Sequence, residues 1–121
     1  TGDGSSRMNL TELSTIGYYG IPVIVVIFNN GTLGMVRQWQ TLFFGHRYSQ
    51  TTLDRGPDFM KLAATYGLSG ARVDTVEAFA AASKAAVEKR EPCIIGCMLG
   101  IDEMVAPMVA PGSPIDSFCL N

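Results

Sequence analysis

A short acidic motif near the start of the chain and a pair of asparagines further on supply most of the groups able to do chemistry. Gly2-Asp3-Gly4-Ser5 sets one carboxylate between two glycines beside a hydroxyl, and Asn29-Asn30 offers two amides, with residues 5 to 28 lying between Gly4 and Asn29. A hard divalent ion such as Mg2+ takes oxygen ligands, commonly a carboxylate or two together with phosphate oxygens and water. Asp3 supplies the negative charge that such an ion needs, and Asn30 a neutral oxygen. Gly2 and Gly4 let the backbone come close to a phosphate, while Ser5 and free backbone N–H groups can donate hydrogen bonds to it. The ligand these residue types point to is a metal-bound diphosphate.

Two polar segments that far apart meet only if the chain between them goes out and returns. Leu10, Leu13, Ile16 and Gly17 recur at helical spacing, and Asn9 with Glu12 has the pattern of a capping box, so a first helix is expected to start near Asn9. Gly20 should end it and Pro22 bars its continuation. Val23 to Phe28 is a continuous β-branched and aromatic run, as a strand covered on both faces requires, and is placed centrally in the sheet. Met35, Val36, Trp39, Leu42 and Phe43 suit a second helix over 33–44, and 45–55 reads as loop. Pro57 fits the first turn of a helix that stops at Gly67, before a strand over 68–73. Asp74 and Glu77 repeat the capping-box spacing ahead of an alanine-rich helix to about Lys89, and Pro92 opens a last strand over 93–99. Strands alternating with helices build a parallel sheet, so the fold class is α/β. In such a sheet both polar segments lie beyond the carboxyl edge, where open α/β folds place their ligands.

The composition narrows the function classes. A chain of 121 residues, 47% hydrophobic and 17% charged, supports one domain over 1–121, with the proline-bearing residues 101–121 as a tail. A net charge of -2 without a basic cluster disfavours nucleic acid and anionic membrane surfaces as partners. The longest apolar run, Ile21 to Phe28, is too short to span a bilayer, and no secretory leader is evident, so a cytoplasmic protein is expected. Cys93 and Cys97 on one strand would stand roughly 13 Å apart, too far for a disulfide, and Cys119 is a lone thiol. The chain opens at Thr1 without an initiator methionine and without the strand that usually precedes such a glycine-rich turn, which suggests a piece of a longer polypeptide.

Gly-Asp-Gly followed after about two dozen residues by Asn-Asn resembles the signature of thiamine-diphosphate enzymes. Asn29-Asn30-Gly31-Thr32-Leu33-Gly34-Met35-Val36-Arg37-Gln38-Trp39-Gln40 is similar to the form found in the catalytic subunit of acetolactate synthases. The similarity continues through Arg47-Tyr48-Ser49, Pro57-Asp58-Phe59, Tyr66-Gly67 and Pro107-Met108-Val109, and so covers essentially the whole chain. It implies thiamine diphosphate and Mg2+ as cofactors, with Gly2, Asp3, Gly4, Ser5, Asn30, Thr32 and Met35 binding coenzyme and metal. Within that set, the Asp3 and Asn30 side chains and the Thr32 backbone carbonyl would face the ion. Met35, Val36 and Trp39 would line the pocket for the second 2-ketoacid. Apolar residues at this spacing are ordinarily helix core; their place beside the Asn pair favours the pocket.

The resemblance further implies a transferase of branched-chain amino-acid biosynthesis that condenses pyruvate with a second 2-ketoacid. The glutamate that activates the coenzyme belongs in that family to a separate pyrimidine-binding domain, from the same or another subunit, so a homo-oligomer is expected and this chain alone should be inactive. Glu12, Glu77, Glu88, Glu91 and Glu103 read instead as helix caps or solvated groups, His46 as a solvated loop residue, and Arg47 as a surface or interface charge. FAD would be held in the intact enzyme by a domain this chain does not contain, and a regulatory subunit is a further candidate partner. Two rival readings stand beside this one: another thiamine-diphosphate decarboxylase, oxidase or two-chain enzyme, and a non-catalytic remnant or scaffold module.

Overall fold

The computed structural model describes residues 1–119. A three-stranded parallel sheet is formed by β1 (Ile24–Asn29), β2 (Ser69–Val73) and β3 (Cys93–Met98), in the order β1-β3-β2. The helices are α1 (Asp3–Ser6), which runs through a 3-10 turn at Arg7–Asn9 toward α2 (Glu12–Tyr19), then α3 (Gly34–Phe43), α4 (Phe59–Thr65) and α5 (Val76–Lys89). A short antiparallel pair, β4 (Met108–Val109) and β5 (Phe118–Cys119), closes the described chain. The α/β class and the parallel sheet agree with the sequence reading.

Alternation along β3 divides the core between two faces. Ile94 packs with Leu13, Ile27, Phe59, Ala63 and Leu68 beneath α2 and α4, whereas Cys93, Ile95 and Cys97 pack with Val73 and Ala86 beneath α5. Burying a branched aliphatic side chain of this kind stabilises the fold by about 1.5–3 kcal/mol, so the central strand carries much of the stability. Both strand cysteines are buried and free, and burial raises each thiol pKa. Glycines bring the helices close. Met60 of α4 lies over Gly70 and Gly96, and a Cβ on Gly17 of α2 would collide with the Tyr66 carbonyl at the end of α4.

Several sequence expectations need correction. The central strand is β3, not the Val23–Phe28 run, and that run is not covered on both faces: only Ile27 is buried, while Val23 and Phe28 are 36% and 52% exposed, because an apolar stretch fixes neither its cover nor its neighbours along the sheet. The Asn9 capping box does not form, because Ser6, Arg7, Leu10 and Thr11 are all helical in backbone, leaving Asn9 inside the bend; the extended residue that starts the helical stretch is Gly2. Pro57 precedes the true cap of α4, Asp58, whose carboxylate accepts the Met60 and Lys61 N–H groups. Thr75, not Asp74, caps α5 by accepting the Ala78 N–H. The tail is partly structured through β4 and β5. Gly20 and Gly67 end their helices as expected, in left-handed conformation at φ 59° and 74°.

Candidate functional site

The outer edge of β1 determines where Asp3 lies. The Phe28 N–H donates to the Thr1 carbonyl at 2.8 Å, the Thr1 nitrogen donates to the Val26 carbonyl at 2.9 Å, and Gly2 bridges Phe28 in parallel. The chain therefore turns into α1 beside the carboxyl end of β1, and Asp3 comes to the level of the Asn29-Asn30 turn. One cleft of about 640 Å3 is lined by Gly2, Asp3, Gly4, Ser5, Asn30, Thr32, Met35 and Val36 together. It opens beyond the carboxyl edge of the sheet, as the doubly wound geometry requires.

Asp3 is 2% exposed and its Oδ2 has no hydrogen-bond partner. An unpartnered buried carboxylate oxygen is costly, and a cation in the adjoining cleft is the partner that would offset that cost. The Asn30 Oδ1 accepts the Thr32 N–H at 3.2 Å, which fixes the amide and leaves its second lone pair available. A Cβ on Gly34 would stand 2.9 Å from the Asn30 amide nitrogen, so glycine is what leaves room for this side chain. Among the described residues, no backbone N–H donates to the Thr32 carbonyl. One buried carboxylate, one amide oxygen and one free carbonyl form a donor set that fits Mg2+, with phosphate and water to complete the shell. The N–H groups of Gly4 and Ser5 lie in the first turn of α1, with no preceding helical carbonyl to accept them, and fit the diphosphate oxygens.

Met35, Val36 and Trp39 stand together on one side of α3 and are 54%, 48% and 39% exposed, so they are not the helix core. With Gln40, Phe44 and Arg47 they line an apolar hollow of about 500 Å3, which adjoins the cleft through Met35 and Val36; Trp39 lines the hollow only. The buried residue of α3 is Gln38, which the sequence reading passed over. Its Nε2 donates to the Val105 carbonyl at 2.8 Å and its Oε1 accepts the Val105 N–H at 2.9 Å, holding the segment after β3 against α3. The Arg37–Asp102 ion pair at 2.7 Å reinforces the same contact. Leu99, Glu103, Met104 and Val105 are thereby brought to the cleft wall, where Glu103 stays solvent-exposed, as expected. No local pattern could have shown this contact across 67 residues. His46 is exposed on its loop, in a T-shaped arrangement with the Tyr48 ring.

Residues 1–97 match the family model described as the thiamine pyrophosphate enzyme, C-terminal TPP binding domain. The chain belongs to this family. It is 46% identical over 113 residues to an acetolactate synthase of Arthrospira platensis, covering 93% of this chain and 20% of the relative. A probable acetolactate synthase large subunit of Methanocaldococcus jannaschii is 44% identical over 112 residues, covering 93% of this chain and 19% of the relative. A solved thiamine diphosphate-dependent 4-hydroxybenzoylformate decarboxylase of Rhodococcus jostii superposes with a TM-score of 0.74 at 35% identity, covering 84% of this chain and 19% of that one. This TPP-binding domain thus spans about a fifth of the length of the relatives it matches.

Proposed function

We propose that this chain is the part of an acetolactate synthase-like enzyme that binds Mg2+ and the coenzyme diphosphate, and that shapes the pocket for the second 2-ketoacid. The observation that carries this reading is the buried, unpartnered Asp3 oxygen in the cleft that also holds Asn30 and Thr32. Asp3, Asn30 and the Thr32 carbonyl hold the ion, and the Gly4 and Ser5 N–H groups take the diphosphate oxygens. Thiamine diphosphate, when bound, supplies the carbanion chemistry of the reaction. Met35 contacts the coenzyme, while Val36 and Trp39 bound the apolar hollow and select the acceptor by size.

The resemblance assigns the activating glutamate to a pyrimidine-binding domain, from the same or a second subunit of a homo-oligomer, and on this reading that domain completes the site. The chain alone is inactive on this reading. Calorimetric titration of thiamine diphosphate into the 121-residue chain, with and without Mg2+, tests the proposal. Binding should need Mg2+, and Asp3→Ala should weaken it at least about a hundredfold; unchanged affinity would sink the metal assignment.

The likeness to the Rhodococcus decarboxylase favours a second reading, a 2-ketoacid decarboxylase that takes no acceptor. In the assembled enzyme, Trp39→Leu should change which second ketoacid is used. Release of an aldehyde with no condensation product speaks for the decarboxylase.

A further inference from the structure

The loop that carries Asn30 and Thr32 leaves the sheet at the end of β1 and is held by a segment twenty residues further on. The Leu33 N–H donates to the Thr51 carbonyl at 2.8 Å, and the Thr32 hydroxyl donates to the same carbonyl at 2.9 Å. The Leu53 N–H donates to the Gly31 carbonyl at 2.7 Å, and Thr32 bridges Thr52 in antiparallel sense. Thr32 and Thr51 are each 2% exposed, so these bonds are sheltered from water. Gly31, at φ 68°, makes the reversal that lets the loop lie along this segment.

The same segment is tied to the other half of the site. Arg7, which follows α1 directly, donates from Nη2 to the Leu53 carbonyl at 3.2 Å. Its guanidinium lies against Gly56, where any side chain would overlap it. One chain of contacts therefore runs from the turn bearing Asp3, through Arg7 and Leu53, to Gly31 and Thr32.

We propose that the Thr32 hydroxyl and the Arg7 guanidinium are positioning residues: they set the separation between the Asp3 carboxylate and the Asn30 and Thr32 oxygens, and so set the affinity for a divalent cation. The inference rests on the metal reading above and deepens it. The Thr32 side chain acts here separately from its backbone carbonyl. Groups behind a first shell of ligands commonly change metal affinity by about 10–100-fold, which is the size of effect to look for.

Thr32→Val removes the hydroxyl at nearly constant shape and leaves the Leu33–Thr51 bond in place, whereas Thr32→Ser keeps the donor. Two quantities are to be read on the 121-residue chain: amide exchange at Leu33 and Leu53 without ligands, and Mn2+ affinity by water proton relaxation with thiamine diphosphate present. Thr32→Val should speed exchange at both amides by about tenfold, as loss of one buried hydrogen bond predicts, and weaken Mn2+ by about tenfold or more; Thr32→Ser should stay near the parent. Parent-like exchange in Thr32→Val overturns the clamp, and faster exchange with parent-like Mn2+ affinity overturns its positioning role. Arg7→Met reads the same two quantities should Thr32→Val not fold. A parent chain that takes up no Mn2+ contradicts the metal reading itself, and the inference with it, before any substitution is made.

Discussion

At the scale of single residues, the site depends on small clearances around a few oxygens. Asp3 is buried without a partner for Oδ2, and Asn30 is held between the Thr32 N–H and the Cα of Gly34. Gly34→Ala should therefore separate binding from stability. Alanine suits a helix better by about 0.5–1 kcal/mol, so the unfolding midpoint should hold or rise. The added methyl must displace the Asn30 amide, and Mg2+-dependent coenzyme binding should fall by about tenfold; calorimetry beside thermal denaturation reads both. Asp3, Asn30 and the Met35–Trp39 side of α3 were legible in the sequence because each belongs to a compact motif. The Thr32 hydroxyl and Gln38 were not, although both lie inside the quoted run, because their partners Thr51 and Val105 are fixed only by the fold.

At the scale of elements, helices and strands were legible from periodicity and from Gly20, Gly67 and the alanine-rich run, while their caps and neighbours were not. Asn9 and Glu12 spell a capping box within a stretch whose backbone is already helical, and nothing local distinguishes an edge strand from a central one. Gly17 illustrates what only packing reveals: Gly17→Ala should destabilise the chain by about 1–3 kcal/mol, because the methyl meets the Tyr66 carbonyl, and a chemical-denaturation midpoint unchanged from the parent would contradict the contact. Asp58 gives α4 a pH dependence. The Met60 and Lys61 N–H groups lower its pKa, chiefly Met60, with a smaller contribution from Arg72. A lowered carboxyl pKa adds stability that is present above the ordinary value and lost as the pH falls through the lowered one. Asp58→Asn should accordingly flatten the acid side of the stability curve, measured by thermal denaturation from neutral pH down to about pH 2.

At the scale of the whole molecule, a large part of the apolar surface has nothing over it. Tyr18 and Tyr19, at the end of α2, are 84% and 72% exposed, and Met35, Val36, Trp39 and Phe43 of α3, with Phe44 just beyond it, are exposed apolar side chains as well. Exposed surface of this kind marks sites of association. The isolated chain should bind an apolar dye and self-associate as its concentration rises; sedimentation velocity that finds a dye-silent monomer at high concentration would contradict a surface built to be covered. Among the described residues no helix is long and apolar enough to cross a membrane. Family membership was legible because the motifs reach from Gly2 to Val109. About four-fifths of the relatives' length lies outside the match with this chain.

The central claim is that Asp3, Asn30 and the Thr32 carbonyl together hold the ion that anchors the coenzyme diphosphate. Anomalous diffraction from crystals of the chain soaked with Mn2+ and thiamine diphosphate tests it most directly. The account predicts one strong peak in the cleft, about 2.0–2.3 Å from an oxygen of each of the three residues and bridged to the diphosphate. A coenzyme bound without an ion there, or an ion held by other residues, would contradict it.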